Sequence, residues 1–213
     1  MSRKISESTV RRLSHYLRIL EVRPEGAAGT LSSEELAREA GTTAAQVRKD
    51  LSLFGSFGKR GMGYRVTELA DHLREILGLK QSWRVAVLGA GRIGSALFEY
   101  ADFRRKGFQI VAVLDRDPAK IGTPWGGVVI RDVSELGRVL DEEGVEVVIM
   151  AVPAEAAQEL TDQVVGAGVR GILNFAPTQL RVPRGVAVQD VNVVTELEAL
   201  SFELTHLGGN GAG

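Results

Sequence analysis

Apolar positions recur at helical spacing from the first residues onward. Between Ser8 and Val22 the stripe Val10, Leu13, Tyr16, Leu17 and Leu20 runs among Arg11, Arg12 and Arg18, which predicts an amphipathic helix. The stretch 23–30, with Pro24 and two glycines, reads as a loop. Ser32 or Ser33 caps a second helix, with Glu34 and Glu35 in the first turn where the helix dipole favours acids, and Gly41 ends it. Thr42 or Thr43 caps a third helix over 43–55. Its buried stripe is Ala44, Val47, Leu51 and Phe54; Gln46, Lys49 and Asp50 are expected on the opposite face, with Arg48 at its edge. Two short helices across so tight a turn form a helix-turn-helix pattern. In 56–66, Gly58, Gly61 and Gly63 bracket Lys59 and Arg60 before Tyr64 and Val66 alternate, predicting a β-hairpin with a basic tip, a wing. A fourth helix covers 67–79.

After Ser82 the pattern changes to wholly apolar runs alternating with helical ones. Strands are predicted at 83–89, 109–115, 145–153, 171–177 and 186–191, with helices and loops filling 116–144 and a helix over 153–168. Apolar strands separated by helices indicate a parallel sheet covered on both faces. A last helix spans 193–207, and GGNGAG reads as a frayed tail. The expected fold class is α/β: a winged helix-turn-helix domain over 1–80, a Rossmann-type doubly wound parallel sheet over 81–191, and a C-terminal helix and tail over 192–213.

Composition narrows the function. The chain has no cysteine, so disulfides, thiolate catalysis and thiol-based redox sensing are excluded; any redox sensing must work through a bound cofactor. No window approaches the roughly 20 apolar residues of a membrane span. The start, MSRKISESTV, lacks the apolar core of a signal peptide, so the cytoplasm is the expected location. Residues 1–80 hold 14 Lys and Arg against 10 Asp and Glu, and the remaining 133 hold 12 against 17. A basic front and an acidic back fit a nucleic-acid reader joined to something else.

The strongest chemical signal is Gly89-Ala90-Gly91-Arg92-Ile93-Gly94, directly after an apolar strand and at a helix start. There Gly89 permits the turn, Gly91 admits a pyrophosphate to the backbone, and Gly94 lets the helix pack closely. Asp115 follows at the end of the second strand, placed to bind the ribose hydroxyls of NAD(H) and to repel the extra phosphate of NADP. A Rossmann-like sheet that binds nothing would share the strand pattern. On the third helix Gln46, Arg48 and Lys49 are candidates for base or phosphate contacts, with Lys59, Arg60 and Gly61 of the wing, although a solvated helix face would look similar. A dehydrogenase needs a proton donor or acceptor beside the hydride and a substrate domain. The only histidines are His15, His72 and His206, none at a strand end, and no catalytic residue is assigned.

The run VRKDLSLFGSFGKRGMGY (47–64), together with GAGRIG (89–94), YLRIL (16–20), AVP (151–153) and ILNFAP (172–177), closely resembles the Rex family of bacterial redox-sensing repressors. The resemblance covers nearly the whole chain. It implies a non-enzymatic homodimer that binds palindromic double-stranded operator DNA and is released when NADH replaces NAD+. It implies that Arg48, Lys49 and Arg60 contact DNA and that Ala151, Val152, Pro153, Asn174, Phe175, Ala176 and Pro177 form the nicotinamide side of the site. It also implies that the terminal helix is exchanged between subunits, and that Arg18 and Tyr100 couple the domains to an Asp near its start. Alignment of VAVQDVN puts Asn192 there, with Asp190 as the substitute. Two other readings compete: an NAD-dependent oxidoreductase or CoA-binding subunit with a helical appendage, and a plain DNA-binding protein whose Rossmann domain only dimerises.

Overall fold

A computed structural model describes residues 5–23, 29–58, 62–99 and 106–207. They fall into two compact units, Met1–Gln81 and Ser82–Gly213.

In the first unit, α1 (Glu7–Glu21) starts at Ser6, whose hydroxyl accepts from the Thr9 N–H. Helix α2 (Ser33–Glu39) begins in a reciprocal capping box between Ser32 and Glu35. Gly41, at φ +64°, takes the left-handed conformation that turns the chain toward α3 (Ala44–Ser52), capped by Thr43. After β1 (Thr30–Leu31) and β2 (Tyr64–Arg65) comes α4 (Val66–Ile76), which packs on α1. Leu13, Tyr16, Leu17, Leu36, Val47, Leu51 and Leu73 are buried together as the core. This is the expected helix-turn-helix, with three differences. Val10 is exposed, and Thr9 is the buried residue of that turn. The third helix stops at Ser52, short of Phe54. Strand β2 pairs antiparallel with β1, which lies between the first two helices, and a Cβ on Gly58 would lie 2.4 Å from the Gly63 oxygen. The wing tip at 59–61 lies outside the described residues.

The second unit is a three-layer α/β/α sandwich. Its sheet, in the order β5-β6-β4-β3-β7-β8-β9, is formed by β3 (Trp83–Leu88), β4 (Phe108–Asp115), β5 (Pro124–Trp125), β6 (Val128–Asp132), β7 (Val147–Met150), β8 (Gly171–Asn174) and β9 (Ala187–Asp190). All neighbours are parallel except the edge pair β5–β6. Side-chain alternation sorts the strands' apolar residues between two cores. Ala86, Leu88, Leu114, Val148 and Met150 pack with α6 (Leu136–Glu142) and α7 (Ala154–Gly166) on one face. Val85, Val87, Val113 and Ile149 pack on the other face, with Leu97 of α5 (Arg92–Glu99) against them. Strands β5 and β6 occupy a segment expected to hold only helices and loops. The order reverses between β3 and β7, and at such a switch point a crevice opens beyond the strands' carboxyl ends. Helix α8 (Val193–Leu207) buries none of its side chains on its own chain; Val193, Val194, Leu197, Leu200, Phe202, Leu204 and Leu207 are all exposed.

Candidate dinucleotide site and nucleic-acid interface

A cavity of about 1220 Å³ occupies that crevice. Gly89, with φ +98°, turns the chain off β3 so tightly that a Cβ would lie 2.3 Å from the Ala151 oxygen beyond β7. A Cβ on Gly94 would sit 2.3 Å from the Gly89 oxygen, so this glycine sets how closely α5 approaches the turn. At Gly91 a Cβ would meet nothing within 4 Å: the space beside this backbone is open. Gly91, Arg92 and Ile93 line the cavity at the start of α5, where first-turn N–H groups have no partner inside the helix. An anion is therefore favoured there by both free donors and the helix dipole.

Asp115 ends β4 at the same crevice. Its Oδ2 accepts from the Ala90 N–H at 2.7 Å and from Lys120 Nζ at 3.2 Å, and its Oδ1 accepts from the Asp117 N–H at 2.9 Å. Burial pushes this carboxyl up, but the Asp117 N–H, the Lys120 ammonium and the Ala90 N–H outweigh it and hold Asp115 below the usual carboxylate range. The group is thus ionised and fixed in place. Since a carboxylate has about four acceptor positions, it retains capacity for a ribose hydroxyl.

Of the residues expected at the cofactor, Gly89, Gly91, Arg92, Ile93, Asp115, Ala151, Val152, Pro153, Phe175 and Pro177 line the cavity. Four do not. Gly94 and Ala90 act behind the wall, and the Ala90 N–H is spent on Asp115. Ala176 is buried in the sheet's core. Asn174, also buried, donates from Nδ2 to the Thr178 carbonyl at 2.8 Å and to Asp190 Oδ1 at 2.7 Å, while its Oδ1 accepts from the Ala176 N–H at 3.0 Å. It shapes the 174–178 turn that carries Phe175 and Pro177. Sequence reasoning missed Lys120 as the partner of Asp115. It also missed a wall from α7, Ala156, Glu159, Leu160 and Gln163, although their spacing of three and four residues marks one helical face.

Near the terminal helix, Asp190 is engaged by Asn174, and Asn192 Oδ1 accepts from the Val194 N–H at 3.0 Å at the start of α8. Asn192 therefore serves as a helix cap. Arg18 lies on α1 in the other unit, and Tyr100 lies outside the described residues.

In the first unit, α3 presents Arg48 and Lys49 as exposed side chains. Arg48 donates to the Ser33 hydroxyl at 2.9 Å and pairs with Glu34 at 3.1 Å, a surface bridge of small energetic weight that a phosphate can replace. Asp50 corrects the expected face: it is 1% exposed and points inward. Arg12 grips it with Nε to Oδ2 at 2.6 Å and Nη2 to Oδ1 at 2.7 Å, Tyr16 donates its hydroxyl at 3.0 Å, and Gln46 donates Nε2 at 2.8 Å. Burial raises the Asp50 carboxyl, but hydrogen bonds from Arg12, Gln46 and Tyr16 bring it below its ordinary value. Burial, followed by the Asp50 carboxylate, pushes the Tyr16 phenol up to about 12. Lys59, Arg60 and Gly61 lie outside the described residues.

The comparisons with known proteins agree with this division. Residues 80–178 match the family model "CoA binding domain", and residues 4–52 match "Putative DNA-binding protein N-terminus". The redox-sensing transcriptional repressor Rex of Thermotoga petrophila is 46% identical over 205 residues, covering 96% of this chain and 98% of that protein. A crystal structure of RSP, a Rex-family repressor, in complex with beta-NAD+ and operator DNA superimposes with a TM-score of 0.89 at 34% identity, over 98% of this chain and 99% of that one. RSP in complex with beta-NADH gives 0.88 at 32% identity, covering 96% of each chain. With such identity sustained from end to end across both units, the chain belongs to the Rex family of redox-sensing transcriptional repressors.

Proposed function

We propose that this chain is a transcriptional repressor that reads the cellular NADH/NAD+ ratio, holds a palindromic operator as a homodimer, and releases it when NADH binds. The observation that carries the reading is the near-full-length likeness to RSP, which has been crystallised with NADH and with NAD+ plus operator DNA. In this reading the crevice at Gly89, Gly91 and Asp115 takes the pyrophosphate and adenosine ribose, and the wall of Ala151, Val152, Phe175 and Pro177 takes the nicotinamide. That wall is apolar, and burying a positive charge in it is unfavourable, so the neutral reduced ring is preferred over the oxidised pyridinium. Helix α3 enters the major groove with Gln46, Arg48 and Lys49, and the wing brings Lys59, Arg60 and Gly61. The bare apolar face of α8 is the surface on which two copies exchange arms, and Arg18 and Tyr100 pass the state of one unit to the other through Asp190 or Asn192. The nicotinamide is read and not consumed, which separates the protein from an oxidoreductase. Among the described residues no helix is long and apolar enough to cross a membrane, and we place the protein in the cytoplasm with its DNA.

A ligand shifts an equilibrium only through its unequal affinity for two states. Fluorescence anisotropy of a labelled palindromic operator, titrated with the protein alone, with NAD+ and with NADH, is the test. NADH should weaken operator binding by roughly 5- to 150-fold, the usual range of allosteric coupling, at concentrations where NAD+ does not. Tight DNA binding indifferent to both would overturn the reading. Asp115 makes a further prediction. Its fixed negative charge should favour NADH over NADPH by at least about tenfold, ~1.4 kcal/mol, and Asp115→Asn should narrow that gap in competition titrations. Equal affinities in the wild type would remove Asp115 from the ribose site.

A further inference from the structure

We infer that Gln46 is a pre-set adenine reader, its side-chain amide locked by the buried Arg12–Asp50 pair so that only one orientation faces the DNA. The inference rests on the DNA-binding reading above and goes beyond it by naming the base and the cause of the preference.

Gln46 is the third residue of α3, and its backbone N–H is anchored to the Thr43 cap at 3.1 Å. It is half-buried on the first turn, one helical step from the exposed Lys49. A glutamine amide is normally ambivalent: rotated by 180° it exchanges a donor for an acceptor, and so reads different bases. Here the choice is made from inside. Nε2 donates to Asp50 Oδ1 at 2.8 Å, and the opposite orientation would set the amide oxygen against a carboxylate. Asp50 cannot give way, because Arg12 holds both its oxygens and Tyr16 holds Oδ2 a second time. Nor does it lose its charge, since those same donors keep its carboxyl ionised.

With one Nε2 hydrogen spent on Asp50, the amide retains its second N–H and Oε1, which has no hydrogen-bond partner among the described residues. One donor beside one acceptor is the complement of adenine in the major groove, which offers N7 as acceptor and the N6 amino group as donor. Guanine offers two acceptors on that edge and would face Oε1 with its O6. Cytosine offers a donor alone, and thymine an acceptor beside a methyl. Arg12 and Asp50 act as positioning residues: they fix the polarity of the amide that faces the DNA.

The test uses the full-length protein and DNA of its own choosing. Duplexes are enriched from a random pool, and each adenine of the enriched half-site is replaced in turn by purine, which lacks the N6 amino group, and by 7-deazaadenine, which lacks N7. One adenine per half-site should lose roughly 10- to 100-fold in affinity with either analogue, and Gln46→Ala should bind natural and substituted DNA alike at that position while keeping its response elsewhere. Because the analogues alter only the DNA, a folding defect cannot imitate this result. If the position coupled to Gln46 is instead a guanine sensitive to 7-deazaguanine, or if no adenine is coupled to it, the inference is overturned while the repressor reading stands. Failure to enrich any sequence would overturn the repressor reading itself.

Discussion

Asp50→Ala should destabilise the N-terminal unit by about 3 kcal/mol, the scale for removing one partner of a buried ion pair. It strands the Arg12 guanidinium, leaves the Tyr16 hydroxyl without its acceptor inside the core and frees the Gln46 amide. The loss should appear as faster amide exchange in α1 and α3. Both tryptophans, Trp83 and Trp125, belong to the other unit, so their fluorescence and the NADH titration should be unchanged and serve as the internal control. Protection of α1 and α3 equal to wild type would show that the network carries no stability. The same carboxylate predicts a pH dependence. Its folded pKa is depressed, so its contribution is fully present above the ordinary carboxylate value near 4 and is lost as pH falls through the lower folded value. The acid limb of the unit's stability should therefore begin below about pH 4, and Asp50→Asn should flatten it.

The glycines of the 89–94 turn separate binding from folding. Gly91→Ala should leave the melting temperature of the protein unchanged, because its Cβ enters open space, yet weaken NADH by about 30- to 100-fold, ~2–3 kcal/mol, by standing where the pyrophosphate approaches. Gly94→Ala should lower both: its Cβ meets the Gly89 carbonyl, so the helix must shift and stability falls along with affinity. Calorimetric titration with NADH beside thermal melts distinguishes the two. Wild-type affinity in Gly91→Ala would place the cofactor away from this turn.

How much of this was legible depended on how local each cause is. The 89–94 turn could be read because strand, turn and helix are contiguous and each glycine has a separate steric duty; Asp115 followed from its distance along one strand-helix-strand unit. The edge hairpin was harder. Strands β5 and β6 are short, and β5 contributes only Pro124 and Trp125, too few for periodicity, although Gly126 and Gly127, both at positive φ, are the turn signal such a hairpin demands. Asp50 was misread for a different reason. It lies three residues after Val47, within reach of the buried stripe, but a charge there argues for solvent unless its partner is known. That partner, Arg12, lies 38 residues earlier, and nothing in the chain's local pattern announces the pair. The role of Asn174 was likewise invisible, since its three partners surround it only once the 174–178 turn and β9 are in place.

Asn174 also sets limits on how the sequence can diverge. Its amide gives one hydrogen to the Thr178 carbonyl, the other to Asp190, and takes one from the Ala176 N–H. Aspartate there would face a carbonyl and a carboxylate, and leucine would strand the buried Ala176 N–H. Exchanging the two residues, Asn174→Asp with Asn at 190, would still leave the Thr178 carbonyl opposite an anion. For this hydrogen bond alone, position 190 needs a short acceptor, which Asn, Ser or Thr could supply. Evolutionary drift should thus be one-sided across this hydrogen bond, free at the β9 end and closed at the β8 end.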